Sequence, residues 1–77
     1  MFPKKIFAER LKKLRTDHNV SMQKLAEELE LKNKGTIGQF ETEKTTPSSE
    51  TLIRVADYFN VSIDYLVGRS NNPDMHN

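Results

Sequence analysis

Apolar residues recur every three to four positions along most of this chain, and this spacing restricts the possible fold more than any other feature. It matches the 3.6-residue period of an α-helix, in which such residues lie on one face. Two stretches, LIRVADYF and VSIDYLV, contain residues that favour strands, but their apolar residues also keep the helical spacing. The pattern therefore predicts a compact all-α domain with five helices.

The helix boundaries are predicted from capping residues. The first helix runs from about residue 3 to residue 17 and should end near Asn19, because asparagine tolerates the left-handed conformation found at helix ends. Gly68 is the natural stop of the fifth helix for the same reason. The other helices begin at residues whose side-chain oxygens can accept a backbone N–H of the first turn, namely Ser21, Asn33, Ser48 and Ser62.

The apolar faces of these helices are expected to form the core. They comprise Phe7, Leu11 and Leu14, then Met22, Leu25, Ala26 and Leu29, then Ile37 and Phe40, then Leu52, Val55, Ala56 and Phe59, and finally Ile63, Leu66 and Val67. Residues 1–69 are predicted to form one domain. Residues 70–77 are polar and without periodicity, and they are predicted to be a flexible C-terminal tail.

The residue inventory argues against several classes of protein. The 77 residues suffice for one small domain, and the lack of cysteine excludes disulfides and thiolate metal sites, which suits a reducing cytoplasm. No apolar run approaches the roughly 20 residues that cross a membrane. The two histidines, His18 and His76, lie at a helix end and in the tail, without the spacing of a catalytic triad or a metal site. We therefore expect no enzyme, no cofactor, no metal and no small-molecule substrate.

Charge is distributed unevenly along the chain. Residues 1–20 hold six basic and two acidic side chains, whereas residues 49–77 hold two basic and four acidic ones, within a net charge of +1. A basic front is compatible with a face that meets a polyanion, and a solvated helix face is the alternative interpretation. The cluster of Glu27, Glu28 and Glu30 is interpreted as a solvated acidic face.

Two short helices, at residues 21–29 and 33–41, are joined by a tight turn. This is the arrangement of a helix-turn-helix, in which the second helix enters the DNA major groove and the first crosses the backbone. Spacing alone does not separate it from other helical hairpins. Three stretches make the prediction more specific, namely KLAEEL, TIGQFE and VADYFNVSIDYLVGR.

These stretches closely resemble the lambda/434 repressor and Cro-like helix-turn-helix family, also called the XRE family, over about residues 6–69. The resemblance implies a five-helix DNA-binding domain with the helix-turn-helix at helices 2 and 3. It also implies a transcriptional repressor, often a dimer on a palindromic operator in double-stranded DNA. Arg15 and Glu41 match the family positions that form a buried ion pair between the first and third helices. The alternative is two surface charges without mutual contact.

The resemblance also assigns the residues that face DNA. Lys34 matches a position that reaches guanine or a phosphate, Thr36 one that meets a base edge or a thymine methyl, and Gln39 one that pairs with adenine. Gly35 has no side chain and can only let the backbone approach closely. Asn33, at the start of the recognition helix, belongs to the same predicted surface.

Further predicted DNA contacts lie outside the recognition helix. The loop residues Thr42, Lys44 and Thr45 match positions that contact the sugar-phosphate backbone, although Lys44 can also be an ordinary loop lysine. Met22 stands where the family often has a glutamine that contacts a phosphate or an outer base. The neighbouring Gln23 is the candidate replacement, although it points about 100° away around the helix.

The turn departs from the family pattern. Leu31 and Ile37 are six positions apart where the family usually has five, so one extra residue is predicted at or near Lys32. Glu30 replaces the usual turn glycine, which suggests a turn of altered geometry. Gly38 weakens the recognition helix without an identified role.

Several functional alternatives remain open at this stage. The same fold serves antitoxins that bind a toxin as well as DNA, and the chain can also be the N-terminal domain of a longer phage-type repressor. The expected location is the bacterial cytoplasm, at the nucleoid. A homodimer is predicted. Its candidate surface residues are Tyr58, Ile63, Tyr65 and Val67, some of which must instead belong to the core.

Overall fold

The computed structural model describes residues 1–74 of the 77, and it contains five helices. They are α1 (Lys4–Asp17), α2 (Met22–Glu28), α3 (Thr36–Glu41), α4 (Ser49–Phe59) and α5 (Ile63–Leu66). No strand occurs among the described residues, so the predicted all-α fold of five helices is confirmed. His76 and the last part of the predicted tail lie outside the described residues.

Three of the four predicted N-caps are confirmed. Ser21, Ser48 and Ser62 each accept a hydrogen bond from the backbone N–H three residues further on, at 3.0–3.1 Å. The predicted cap at Asn33 is wrong, because α3 begins at Thr36 with Gly35 in the capping position. The Oδ1 atom of Asn33 instead accepts the Gly35 N–H at 2.8 Å, which closes a turn before the helix starts.

All five helices end with the same hydrogen-bonding pattern. Within the two residues that follow each helix, one residue has a positive φ. The backbone N–H of the residue after it donates to the carbonyl five residues earlier, as in Val20 N–H to Arg15 C=O at 3.0 Å. The positive-φ residues are Asn19, Glu30, Glu43, Asn60 and Gly68. The predicted ends at Asn19 and Gly68 are therefore confirmed. At the two glutamates the side chain imposes a steric cost that glycine would avoid.

The core follows most of the predicted apolar faces, although Leu52 and Val67 are only half-buried and two other predicted members are exposed. Buried members come from every helix, and Phe7, Leu11, Leu25, Ile37, Val55 and Leu66 are the most completely enclosed. Met22 and Ile63 were predicted to face inward, but their exposures are 39% each. Both are the first residue of a short helix, where fewer neighbouring elements surround a side chain. Burial of the remaining apolar faces is the main favourable contribution to folding.

Helix packing places α3 against both α1 and α2, while α5 packs against α1 and α4. Gly68 allows the close approach at the α1–α5 junction. A Cβ atom there would lie 2.7 Å from Ile6 Cδ1, and the residue has φ +83°, so both space and conformation require glycine.

Arg10 joins α1 to the C-terminal end of α5. Its guanidinium donates hydrogen bonds to the carbonyls of Tyr65 and Ser70 and to the Asn71 Oδ1 atom, and it lies 4.3 Å from the centre of the Tyr65 ring. The carbonyl of Pro73 accepts the Ser62 N–H at 2.9 Å. The described part of the C-terminal segment thus lies along the domain. Flexibility of the whole segment 70–77 stays a prediction.

Candidate nucleic-acid interface

Helix α3, the predicted recognition helix, has one buried side and one exposed side. Ile37 and Phe40 are buried in the core, three residues apart as helical geometry requires. The Phe40 ring meets the Phe7 ring of α1 edge to face, with centroids 5.8 Å apart. Gln39 lies on the other side of the helix and is exposed. The core thus fixes the orientation in which α3 presents its outer face.

An ion pair attaches the C-terminal end of α3 to α1. Arg15 Nε lies 2.7 Å from Glu41 Oε2, and Arg15 Nη2 lies 3.1 Å from Glu41 Oε1, so the pair is bidentate. The two side chains are only 12% and 2% exposed. Arg15 Nη1 also donates to the Val20 carbonyl at 3.1 Å. The structure therefore brings together the two residues that the sequence suggested as partners.

The hydrogen bonds from Arg15 to Glu41 raise the pKa of Arg15 above its ordinary value, although burial of the guanidinium opposes this rise. A raised pKa of a base means that the charged form is favoured in the folded state. The guanidinium consequently stays protonated throughout the neutral range. The link between α1 and α3 should not change with pH through loss of this proton.

Residues 29–35 connect α2 to α3. Glu30 has φ 58°, the left-handed conformation in which glycine is common. The altered geometry of the turn as a whole stays a prediction. Arg54 of α4, which sequence reasoning missed, holds this connection. Its Nη1 atom donates to the Leu29 carbonyl at 3.1 Å and lies 3.6 Å from Glu30 Oε2. The extra residue near Lys32 stays a prediction.

The residues predicted to read bases lie at the start and along the outer side of α3. Lys34, Gly35 and Gln39 are exposed, and Thr36 is half-buried. The backbone N–H groups of Gly35 and Thr36 already donate to the side chain and carbonyl of Asn33, at 2.8 and 3.1 Å. In this conformation neither amide is free for a phosphate. The polar side-chain groups at this surface include the Asn33 amide nitrogen.

The loop after α3 presents the residues predicted to contact the DNA backbone. Thr42, Lys44 and Thr45 are exposed. The N–H groups of Lys44 and Thr45 both donate to the Gln39 carbonyl, at 2.9 and 3.4 Å, and the Thr42 hydroxyl donates to the Gly38 carbonyl at 2.8 Å. The donors left for a phosphate are thus the Lys44 ammonium and the Thr45 hydroxyl.

Gly38 lies where α3 approaches the start of α2. A Cβ atom at this position would lie 3.7 Å from Met22 Sδ, which is an ordinary contact distance. Its backbone is helical, without a positive φ. Neither space nor conformation therefore requires glycine here.

Internal contacts reduce the basic charge that the N-terminal region can offer to a polyanion. Arg10 binds carbonyls near α5, and Arg15 is neutralised by Glu41. Lys13 lies 2.9 Å from Asp17 on the helix surface. The Glu41 carboxylate, which lies outside residues 1–20, thus offsets one of the basic charges counted in that region.

Within residues 1–74, no group of three or more histidine, cysteine, aspartate or glutamate side chains is arranged to hold a metal ion. Among those same residues, no helix has the length and apolar character needed to cross a bilayer.

The fold and the exposed second helix of the pair define a helix-turn-helix domain of five helices. A helix-turn-helix family model matches residues 11–66, which is most of the chain. The chain belongs to the XRE family of helix-turn-helix transcriptional regulators. The resemblance noted in the sequence is therefore confirmed.

Two curated proteins of Bacillus subtilis (strain 168) are similar to this chain. One is the uncharacterized HTH-type transcriptional regulator YobD, 33% identical over 69 residues, which cover 90% of this chain and 61% of YobD. The other is the SPbeta prophage-derived uncharacterized HTH-type transcriptional regulator YonR, 37% identical over 62 residues, which cover 80% of this chain and 56% of YonR. The chain thus spans about three fifths of the length of these relatives. No solved structure gives a significant match.

Proposed function

We propose that this chain is a sequence-specific DNA-binding protein that represses transcription by occupying a palindromic operator. The observation that carries the proposal is the two-sided α3, with Ile37 and Phe40 in the core and Gln39 on the exposed side. A helix held in this way can enter the major groove in a fixed orientation. The similarity to YobD and YonR, both named as HTH-type transcriptional regulators, supports a role in transcription.

Two kinds of contact are assigned within this proposal. The side chains of Lys34, Thr36 and Gln39 read base edges in the major groove. The Lys44 ammonium and the Thr45 hydroxyl bind phosphates and set the position of the domain on the duplex. The proposed activity requires no catalysis and no cofactor, and its place is the bacterial cytoplasm, at nucleoid DNA.

The proposal includes a homodimer, because one module reads only a short half-site and two modules related by a two-fold axis read a palindrome. Of the four candidate surface residues, Tyr58 and Ile63 are exposed and Val67 is half-buried. Tyr65 is buried beneath the Arg10 guanidinium. Ile53, which we did not predict, is also exposed. Sedimentation should show a dimer on operator DNA, and a monomer both free and bound would remove this part of the proposal.

The division between reading bases and binding phosphates is tested with Gln39→Ala and Lys44→Ala. On the preferred duplex selected from random DNA, Gln39→Ala should relax the preference at one base pair of each half-site, at about 1–3 kcal/mol. Lys44→Ala should weaken binding to all sequences similarly. The fall of log K with log salt should also become less steep, by about one unit of slope. Identical behaviour of the two variants would contradict the assignment.

A further inference from the structure

Two of the predicted DNA-facing side chains converge on a single carboxylate oxygen. Lys34 Nζ lies 3.9 Å from Glu27 Oε2, and Gln23 Nε2 lies 3.5 Å from the same atom. Gln23 and Glu27 are one turn apart on α2, whereas Lys34 belongs to the connection that leads into α3. An anionic group thus stands between the two helices, at the edge of the proposed DNA-binding surface.

This cluster has little to do with folding. The Lys34 and Glu27 side chains are 62% and 51% exposed, and exposed ion pairs contribute little to stability. Its position is more consequential, since a carboxylate at this edge repels phosphates and competes with them for the Lys34 ammonium. A duplex without complementary base edges at this position offers Lys34 only a phosphate in exchange, and it leaves Glu27 facing the charged backbone.

One base pair offers complementary groups to both side chains. In the major groove, guanine presents the N7 and O6 acceptors, and its paired cytosine presents the N4 amino donor beside them. The ammonium of Lys34 matches the guanine acceptors, and the carboxylate of Glu27 matches the cytosine amino group. When Lys34 and Glu27 separate on binding, each loses the other as a partner. A G·C pair therefore supplies a new hydrogen-bonding partner to both side chains.

We propose that Glu27 is a specificity-determining residue, which together with Lys34 selects a G·C pair in each half-site and disfavours duplexes that lack it. This inference rests on the proposed function, because it requires that α3 lies in the major groove. It adds a residue of α2 to the reading surface, where the sequence suggested only a solvated acidic face. Specificity then arises partly from a repulsive group that most sequences cannot compensate.

The test uses Glu27→Gln, which keeps the shape of the side chain and its contact with Gln23 while it removes the charge. Glu28→Gln is the matched control, because Glu28 lies on the same helix, pairs with Lys24 at 3.7 Å and undergoes the same change of charge. Duplexes are selected from random DNA with the unmodified chain. Affinities for the selected duplex, for versions with the G·C pair replaced and for unrelated DNA are then measured for all three proteins.

We expect Glu27→Gln to bind unrelated DNA about fivefold more tightly, because one repulsive charge is lost. Its preference for the G·C pair should fall about tenfold, whereas Glu28→Gln should keep the preference of the unmodified chain. Suppose that the unmodified chain selects a sequence, but Glu27→Gln and Glu28→Gln change the ratio of affinities for selected and unrelated DNA by the same factor. That result would overturn this inference and leave the proposed function standing. Equal binding of all duplexes by the unmodified chain would refute the proposed function and this inference with it.

Discussion

Replacement of Arg15 by alanine examines the contact that holds the recognition helix in place. The substitution removes a bidentate partner at 2.7 and 3.1 Å and leaves the Glu41 carboxylate, whose side chain is 2% exposed, without its counter-charge. It also removes the donor to the Val20 carbonyl.

The expected cost follows from the burial of the remaining charge. Removal of one partner of a buried pair typically costs about 3–5 kcal/mol, because the other charge is left unpaired. At about 0.05–0.15 kcal/mol per residue, a domain of this size has a total stability of about 4–12 kcal/mol. Arg15→Ala should therefore remove a large fraction of the free energy of unfolding. It should lower Tm by at least about 12 °C, since about 1 kcal/mol shifts a small domain by about 4–8 °C.

The assay is urea and thermal unfolding followed by circular dichroism. Lys13→Ala on the same helix is the matched control, because its ion pair with Asp17 is equally short at 2.9 Å but exposed. It should change stability very little. The double variant Arg15→Met with Glu41→Met should recover much of the loss, since an apolar pair leaves no buried charge. If Arg15→Ala is as stable as Lys13→Ala, the pair does not hold α1 to α3 as the geometry indicates.

The same unfolding measurements test the backbone conformation and packing at three positions, namely Gly38, Glu30 and Gly68. Gly38→Ala should raise the free energy of unfolding by about 0.5–1 kcal/mol, because alanine favours the helix more than glycine does. The added methyl would meet Met22 at an ordinary distance, so a loss of stability would show an unrecognised clash. Glu30→Gly should stabilise by up to about 1 kcal/mol by relieving the left-handed conformation. Glu30→Gln loses the same exposed pair with Arg54 but keeps the strain, so it should change stability very little. Gly68→Ala should destabilise by more than about 1 kcal/mol because of its φ and its contact with Ile6, and an unchanged Tm would contradict both reasons.

Local features of the fold could be predicted from sequence because they depend on nearby residues. The caps at Ser21, Ser48 and Ser62 involve hydrogen bonds to an N–H only three residues away. The end of α1 at Asn19 and the stop at Gly68 follow from conformational preference at single positions. The periodic apolar faces likewise predicted most of the core. Such features need no knowledge of distant parts of the chain.

The start of the recognition helix was predicted wrongly for a local reason. Asn33 is a strong capping residue, but its side chain can also accept an N–H two residues further on, and this turn competes with the cap. Gly35 follows and takes the capping position without any side-chain hydrogen bond. The sequence did not show which of the two arrangements is adopted, since Asn33 is compatible with both.

Contacts between distant residues were the least accessible to sequence reasoning. Arg10 and Arg54 each donate to backbone carbonyls of another element, and backbone acceptors have no sequence signature. Arg15 and Glu41 were suggested as partners only by resemblance to a family. The convergence of Gln23 and Lys34 on Glu27 depends on how the connection folds between α2 and α3, which spacing alone does not predict.

Whether α3 reads DNA sequence is decided by selecting duplexes from random DNA at two salt concentrations. One palindromic sequence should be enriched at both concentrations. Affinity should also fall steeply as salt rises, because lysine contacts to phosphates release counterions. Weak and equal binding to every sequence at both concentrations would contradict sequence reading by α3.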